Sequence, residues 1–376
     1  MKNIYFITAI SLASLLVSGC GDDRSGGVYH KSKSAPIKKG FITETFDGKK
    51  MIENNFVYIP GGFDVDNDGV NEGGFWLAKY EARESNTSKG IADTSKVVNI
   101  QSFISKNFRV YNPKTTHFDA KINSNSGYTN APASNIENIK PIKVTFNTTG
   151  KVVRNISPLE AVISLQNSQI IGTYNIALPT EKQWMHVVKL VINNKENWTG
   201  GEVGKGQLFQ GNRNGIPNKR TLVIANSLLG DDDNVPKDYK VNVSDLSGGV
   251  AEWTSGMIQF QNRFLTGDSG KREYANINSI PTWWKPILNG HKSSLGSIEG
   301  VGQYNDGTNL NGANDTIIVK SDATQGFVDN YAVIARGGSN SLDDKTLVGI
   351  SASNLNYGVG YQGPTVGFRA ATRYLY

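Results

Sequence analysis

Ala335-Arg336-Gly337-Gly338-Ser339-Asn340-Ser341 and, further on, Gly367-Phe368-Arg369-Ala370-Ala371 bracket the stretch whose reading decides the fold. Each bracket is a glycine-anchored segment carrying one arginine, and the residues between them are dense in Asn, Ser, Gly and Tyr. The pattern predicts two fixed strands that hold up a polar loop. Loops on a rigid scaffold are where binding and catalytic residues concentrate. What the middle of this stretch does depends on the rest of the chain.

Upstream stands Val243-Ser244-Asp245-Leu246-Ser247-Gly248-Gly249-Val250-Ala251-Glu252-Trp253-Thr254. Its two glycines allow a tight turn, around which the carboxylates of Asp245 and Glu252 and nearby carbonyls are able to converge as a hard-cation site. A glycine turn ahead of a buried tryptophan is the plainer alternative. Two helices are marked by their starts. Ser157 is an N-cap with Pro158 at the first helical position and Glu160 in the capping-box place, and Thr180 caps a second helix through Trp184, Val187, Val188 and Val191. The segments from Ala82 to Lys151 and from Met257 to Asp329 are polar and read as long surface excursions, the second containing Trp283-Trp284 as core or loop anchors.

Near the start, Asn55-Phe56-Val57-Tyr58-Ile59 has strand character ended by Pro60-Gly61-Gly62, and a second strand follows at Gly74 to Glu81. Between them lies Asp64-Val65-Asp66-Asn67-Asp68-Gly69-Val70-Asn71-Glu72. Carboxylates at alternate positions with a glycine after the third wrap oxygen ligands around one Ca²⁺, so Asp64, Asp66, Asp68 and Glu72 are candidate ligands. Phe75 stands where an EF-hand needs its bidentate Glu, so the loop is not a full EF-hand. A solvated acidic turn is the alternative reading.

Hydrophobic residues at 38%, charged residues at only 19% and 41 glycines describe a turn-rich globular protein rather than a disordered chain or helical bundle. The net charge of +6 is spread without a Lys/Arg cluster, which argues against nucleic-acid binding. Met1-Lys2-Asn3, the apolar run Ile4 to Val17 and Val17-Ser18-Gly19-Cys20 read as a bacterial lipoprotein signal over residues 1–19, with Cys20 as the lipidated residue. Residues 20–45 form a flexible tether, and the domain runs from 46 to 376, with insertions at about 84–150 and 258–330. The expected location is the bacterial envelope, lipid-anchored and surface-exposed, with Gly21 leaning towards the outer membrane. Cys20 is the only cysteine, so no intrachain disulfide and no further thiol are available.

Three motifs in one order carry a resemblance. Leu178-Pro179-Thr180-Glu181 with Trp184, then Asp245 to Trp253, then Arg336-Gly337-Gly338-Ser339 with Gly367-Phe368-Arg369 stand as they do in the sulfatase-modifying-factor family. Ile59-Pro60-Gly61-Gly62-Phe63 and Lys79-Tyr80-Glu81 match that family's first strands. From Phe56 to Arg373 the chain resembles a formylglycine-generating-enzyme-type domain. The resemblance implies an α+β, C-type-lectin-like fold of two helices, short antiparallel strands and long loops.

It further implies a structural Ca²⁺ at the central turn, held at Asp245, Gly248, Val250 and Glu252. The family usually has Asn at the places of Asp245 and Gly249. Its oxidase chemistry uses copper on two cysteines shortly after the Gly-Gly-Ser turn, and those places fall at about Leu342 and Leu347, which bind no metal. Formylglycine generation is therefore not expected, and the chain is similar instead to noncatalytic members: phage receptor-binding proteins and lipoproteins diversified by retroelements. Those proteins display exposed residues between fixed strands. The matching candidates here are Asn340, Ser341, Asp343, Asp344, Ser351, Ser353, Asn354, Asn356, Tyr357, Tyr361 and Gln362. Tyr with Asn and Ser is the composition of an adaptable contact surface for a protein or glycan. A metal-dependent enzyme with another ligand set and an envelope structural protein are the alternatives.

Overall fold

The computed structural model describes residues 51–85, 100–112, 115, 117–120, 141–168, 176–211, 220–226, 229, 232, 235–259, 262–266, 271–275, 283, 298–299, 319–322, 331–339 and 348–372. The leader at 1–19, Cys20 and the tether lie outside them. Among the described residues no helix is long and apolar enough to cross a membrane.

The first hairpin forms as the sequence predicts. Phe56–Ile59 pairs antiparallel with Phe75–Ala78, in the register Phe56↔Ala78 to Ile59↔Phe75, with the acidic loop as its connection. Both strands read as apolar runs because both faces are covered: Phe56, Ile59, Phe75, Trp76 and Leu77 are all buried. The outer side of Phe75–Ala78 takes Ala371–Thr372, which in turn takes Ile176–Ala177, so residues from the two ends of the described chain share one four-stranded sheet.

The main sheet has seven strands built on Ala251–Gln259. Tyr331–Arg336 lies antiparallel on one side of that strand, and Val366–Phe368 and Arg109–Asn112 pair with it in parallel. Within this register Glu252 stands opposite both Arg336 and Gly367. The two glycine-anchored ends read from the sequence are thus the two neighbours of one central strand, as two fixed strands around a middle require.

Both predicted helices form, Pro158–Asn167 and Glu181–Ile192. Ser157 Oγ accepts from Glu160 N at 3.2 Å while Glu160 Oε2 accepts from Ser157 N at 2.9 Å. Thr180 and Gln183 repeat the reciprocal cap at 3.0 and 2.9 Å, which satisfies N-terminal amides that have no partner within the helix. Each helix buries one face in its own apolar cluster, and the indole N–H of Trp184, Trp198 and Trp253 each finds a carbonyl at 2.8 Å. Leaving such a buried donor unpaired costs about 1–3 kcal/mol, so these bonds fix the orientation of the largest core side chains.

The section read as surface excursion between Ala82 and Lys151 contains more structure than expected. A third helix, Ile100–Asn107, buries Ile104, and Arg109–Asn112 then enters the main sheet. Its apolar residues Ile100, Phe103, Ile104 and Phe108 have helical spacing, but the signal is two turns long inside a polar background. Trp283 is buried and meets Phe118 at a ring distance of 6.1 Å, a core anchor as read. The described chain is mixed α/β, with few helices and several small sheets.

Candidate functional site

The frame of the C-terminal stretch is built from charges placed inside the protein. Arg336 is fully buried and pairs with Glu181, donating from Nε at 2.9 Å and from Nη2, while its Nη1 donates to Ser351 O at 3.2 Å. Glu181 is the first residue of its helix, where a carboxylate meets the positive end of the helix dipole, and its other oxygen accepts from Thr254 Oγ1. Arg369 donates to Glu252 through Nε at 2.7 Å and Nη2 at 2.6 Å, and to the carbonyls of Ala78 and Ser244, each at 2.8 Å. A planar guanidinium serves a carboxylate and two carbonyls at once, which an ammonium does not.

The central turn and the Gly-Gly-Ser turn hold each other. Gly337 O accepts from Gly248 N at 3.0 Å, and Ser339 Oγ donates to Gly249 O at 3.2 Å. Gly249 has φ +87°, and a Cβ there would meet Glu81 Oε1 at 2.3 Å. Only glycine fits the turn at that place.

The carboxylates of the central turn do not gather around a cation position. Asp245 is taken by Arg220 in a bidentate pair of 3.0 and 2.6 Å, and Glu252 by Arg369. Neither is among the described groups whose ligand atoms converge. Of the residues expected to hold a cation at the central turn, Asp245, Gly248, Val250 and Glu252, the two carboxylates are each paired with a guanidinium in this structure. Beside them Glu81 accepts from Val250 N at 2.8 Å. Burial, and then the nearby charges of Glu252 and Asp245, push its carboxyl up to about 8.

The acidic loop does gather its ligands. Asp64 Oδ1 accepts from Asn67 N at 2.7 Å and its Oδ2 from Gly69 N at 2.8 Å, folding the backbone around the first carboxylate. Asn67 and Gly69 take φ of 60° and 87°, the left-handed conformation that Asn and Gly tolerate. Glu72 Oε2 accepts from Val65 N at 2.6 Å, which swings the ninth residue of the loop back across it. Ligand atoms of Asp64, Asp66, Asp68 and Glu72 all lie within 4.8 Å of one another.

Two residues that the sequence reading passed over complete this cluster. Lys182, the second residue of the helix Glu181–Ile192, sets its Nζ 2.8 Å from Asp66, 3.0 Å from Glu72 and 3.3 Å from Asp68. His117, from the segment read as a surface excursion, places Nδ1 2.9 Å from Asp66 Oδ2. Lys189, two turns further along the helix, donates to Val65 O at 2.5 Å. Burial raises the Asp66 carboxyl, but the hydrogen bond from His117 and the charge of Lys182 outweigh it and hold Asp66 below the usual carboxylate range. The hydrogen bond to Asp66 raises His117. No local motif announces either residue, because they arrive from distant elements.

The predicted contact residues divide. Ser351, Ser353 and Asn354 are buried, 3%, 1% and 6% exposed, where the strand Ser353–Tyr357 pairs with Tyr331–Arg336 in the main sheet. They are not displayed in this structure. Tyr361 is half-buried with its ring 6.4 Å from that of Trp253, and Gln362 is exposed and donates to Glu160 Oε2 at 2.7 Å. Asn356 and Tyr357 lie on the strand Ser353–Tyr357, and Asn340, Ser341, Asp343 and Asp344 lie outside the described residues.

No family model matches the sequence, and no curated protein matches it. Among solved structures the chain is similar to Treponema denticola variable protein 1, at 12% identity over 85% of this chain and 93% of that chain, with a TM-score of 0.25.

Proposed function

We propose that the protein is a lipoprotein displayed on the bacterial surface that binds a protein or glycan ligand through the stretch between Arg336 and Gly367, carried on a C-type-lectin-like domain of the formylglycine-generating-enzyme type. The observation that carries this reading is the register of the central strand, in which Glu252 stands opposite both Arg336 and Gly367. Both ends are locked by buried ion pairs, which supports a fixed frame for the exposed residues between them, while Val348, Ile350 and Val359 in the same stretch belong to the core. The composition of that stretch, rich in Asn, Ser and Tyr, suits recognition. Binding rather than formylglycine generation follows from the cysteine count: the sequence holds Cys20 alone, and Leu342 and Leu347 stand where the thiolates would be. The lipid at Cys20 supplies the membrane attachment.

The test is a glycan array and a pull-down with the purified chain and with a variant carrying Asn340→Ala, Asp343→Ala, Tyr361→Ala and Gln362→Ala. Loss of a wild-type interaction in the variant, at unchanged melting temperature, supports the reading. An interaction that survives all four substitutions overturns it.

A further inference from the structure

We propose that the loop Asp64–Glu72 binds one Ca²⁺, and that the ammonium of Lys182 holds the same seat among Asp66, Asp68 and Glu72 when the metal is absent. The site is independent of the C-terminal face. It rests on two observations besides the acidic residues themselves.

The first is an unsatisfied oxygen. Asp66 Oδ1 is buried and accepts no hydrogen bond, on a side chain that is 1% exposed. Buried carboxylate oxygens are ordinarily hydrogen-bonded, and an orphan among them calls for a missing partner. The second is the position of Lys182 itself. Its Nζ stands within ion-pairing distance of three of the four carboxylates, which is where a cation serving all of them must sit.

Ligand type and flexibility select the ion. Ca²⁺ takes six to eight oxygens in an adaptable geometry that loop carboxylates supply one or two at a time, whereas Mg²⁺ demands a rigid octahedron and keeps several of its waters. All four groups are carboxylates, which suits a hard cation. His117 converges with Asp66 and Asp68 and holds Asp66 in orientation through Nδ1 at 2.9 Å. The Lys182 side chain is 15% exposed on a flexible four-carbon stem, which gives its ammonium a route to solvent, while Lys189 keeps the backbone carbonyls of Asp64 and Val65. Metal entry therefore exchanges an internal ammonium for an external ion.

The experiment uses the full chain and Ca²⁺ itself. Isothermal titration is expected to give one site per chain. Lys182→Met, which removes the competitor and keeps the stem, is expected to tighten it about tenfold or more, at about 1.4 kcal/mol per factor of ten. Asp66→Asn is expected to abolish it. A second readout needs no variant: the rate at which an amine-reactive reagent modifies Lys182, followed by mass spectrometry, rises when Ca²⁺ is added. Absence of Ca²⁺ uptake by both the wild type and Lys182→Met overturns the site. Equal affinity in the two, or a labelling rate at Lys182 that Ca²⁺ leaves unchanged, overturns the exchange, and equal affinity for Mg²⁺ overturns the assignment of the ion.

Discussion

Arg369 and Glu252 meet at the centre of the molecule, the two side chains 0% and 1% exposed and joined by two hydrogen bonds of 2.7 and 2.6 Å. One belongs to the last bracket of the C-terminal stretch and the other to the strand on which the main sheet is built. Removing one member of such a pair leaves an uncompensated charge in the core.

Arg369→Met is therefore expected to destabilise the fold by roughly 3–5 kcal/mol, read from urea unfolding. Arg369→Lys is expected to recover little, since one ammonium cannot serve Glu252 and the carbonyls of Ala78 and Ser244 together. A lysine variant as stable as the wild type would show that charge alone suffices.

Glu81 gives a pH dependence of definite sign. Its folded carboxyl is pushed up to about 8, against an ordinary value of 4.5. Between these values the folded state binds more protons than the unfolded state, so its contribution to stability is fully present below about pH 4.5 and is lost as pH rises to about 8. Glu252, raised first by its own burial although Arg369 opposes this, acts in the same direction. Chemical denaturation from pH 5 to 9 is expected to show stability declining as pH rises, and Glu81→Gln is expected to flatten the decline. An unchanged slope in Glu81→Gln would place the decline elsewhere.

Two glycines separate conformational strain from collision. Gly201 and Gly249 both have positive φ, +71° and +87°, but a Cβ meets nothing within 4 Å at Gly201 and meets Glu81 Oε1 at 2.3 Å at Gly249. Gly201→Ala is expected to cost about 1–2 kcal/mol from backbone conformation alone. Gly249→Ala should cost clearly more, as measured by the shift in denaturation midpoint, and similar shifts would mean that Glu81 moves aside at no cost.

The helix caps offer a milder check. Ser157→Ala and Thr180→Ala each remove one half of a reciprocal pair and are expected to lose about 1 kcal/mol. Differential scanning calorimetry reads both, and a neutral Thr180→Ala would indicate that Gln183, which also donates to Thr372 O at 2.8 Å, holds the helix start by itself.

Features that depend on near neighbours were legible in the sequence. Both capped helices, the first hairpin, the acidic loop and the two brackets around the central strand rest on turn residues, caps or short apolar runs. What was not legible comes from contacts between distant positions. Carboxylates beside glycines suit either a metal or an arginine, and the pairing of Asp245 with Arg220 and of Glu252 with Arg369 is a contact that no local pattern announces. Lys182 lay in plain view within a helix start, but its reach to a loop more than a hundred residues earlier is a property of packing. Ser351, Ser353 and Asn354 have the composition of a contact surface and the burial of a core, since small polar residues also suit a strand covered within a sheet.

The pairing of Leu77 with Ala371 sets an order on the birth of the molecule. The strand Phe75–Ala78 is made first, and its outer neighbour Ala371 follows the paired Leu77 by 294 residues (371 − 77). Until then the hairpin shows a bare edge, the kind that recruits other chains into aggregates. Ribosomes that stop or shift frame anywhere between Arg336 and Gly367 release products in which this edge stays open and Glu252 lacks Arg369. A reading frame kept intact from Arg336 through Thr372 is thus a condition for closing both the first hairpin's sheet and the buried Glu252–Arg369 pair.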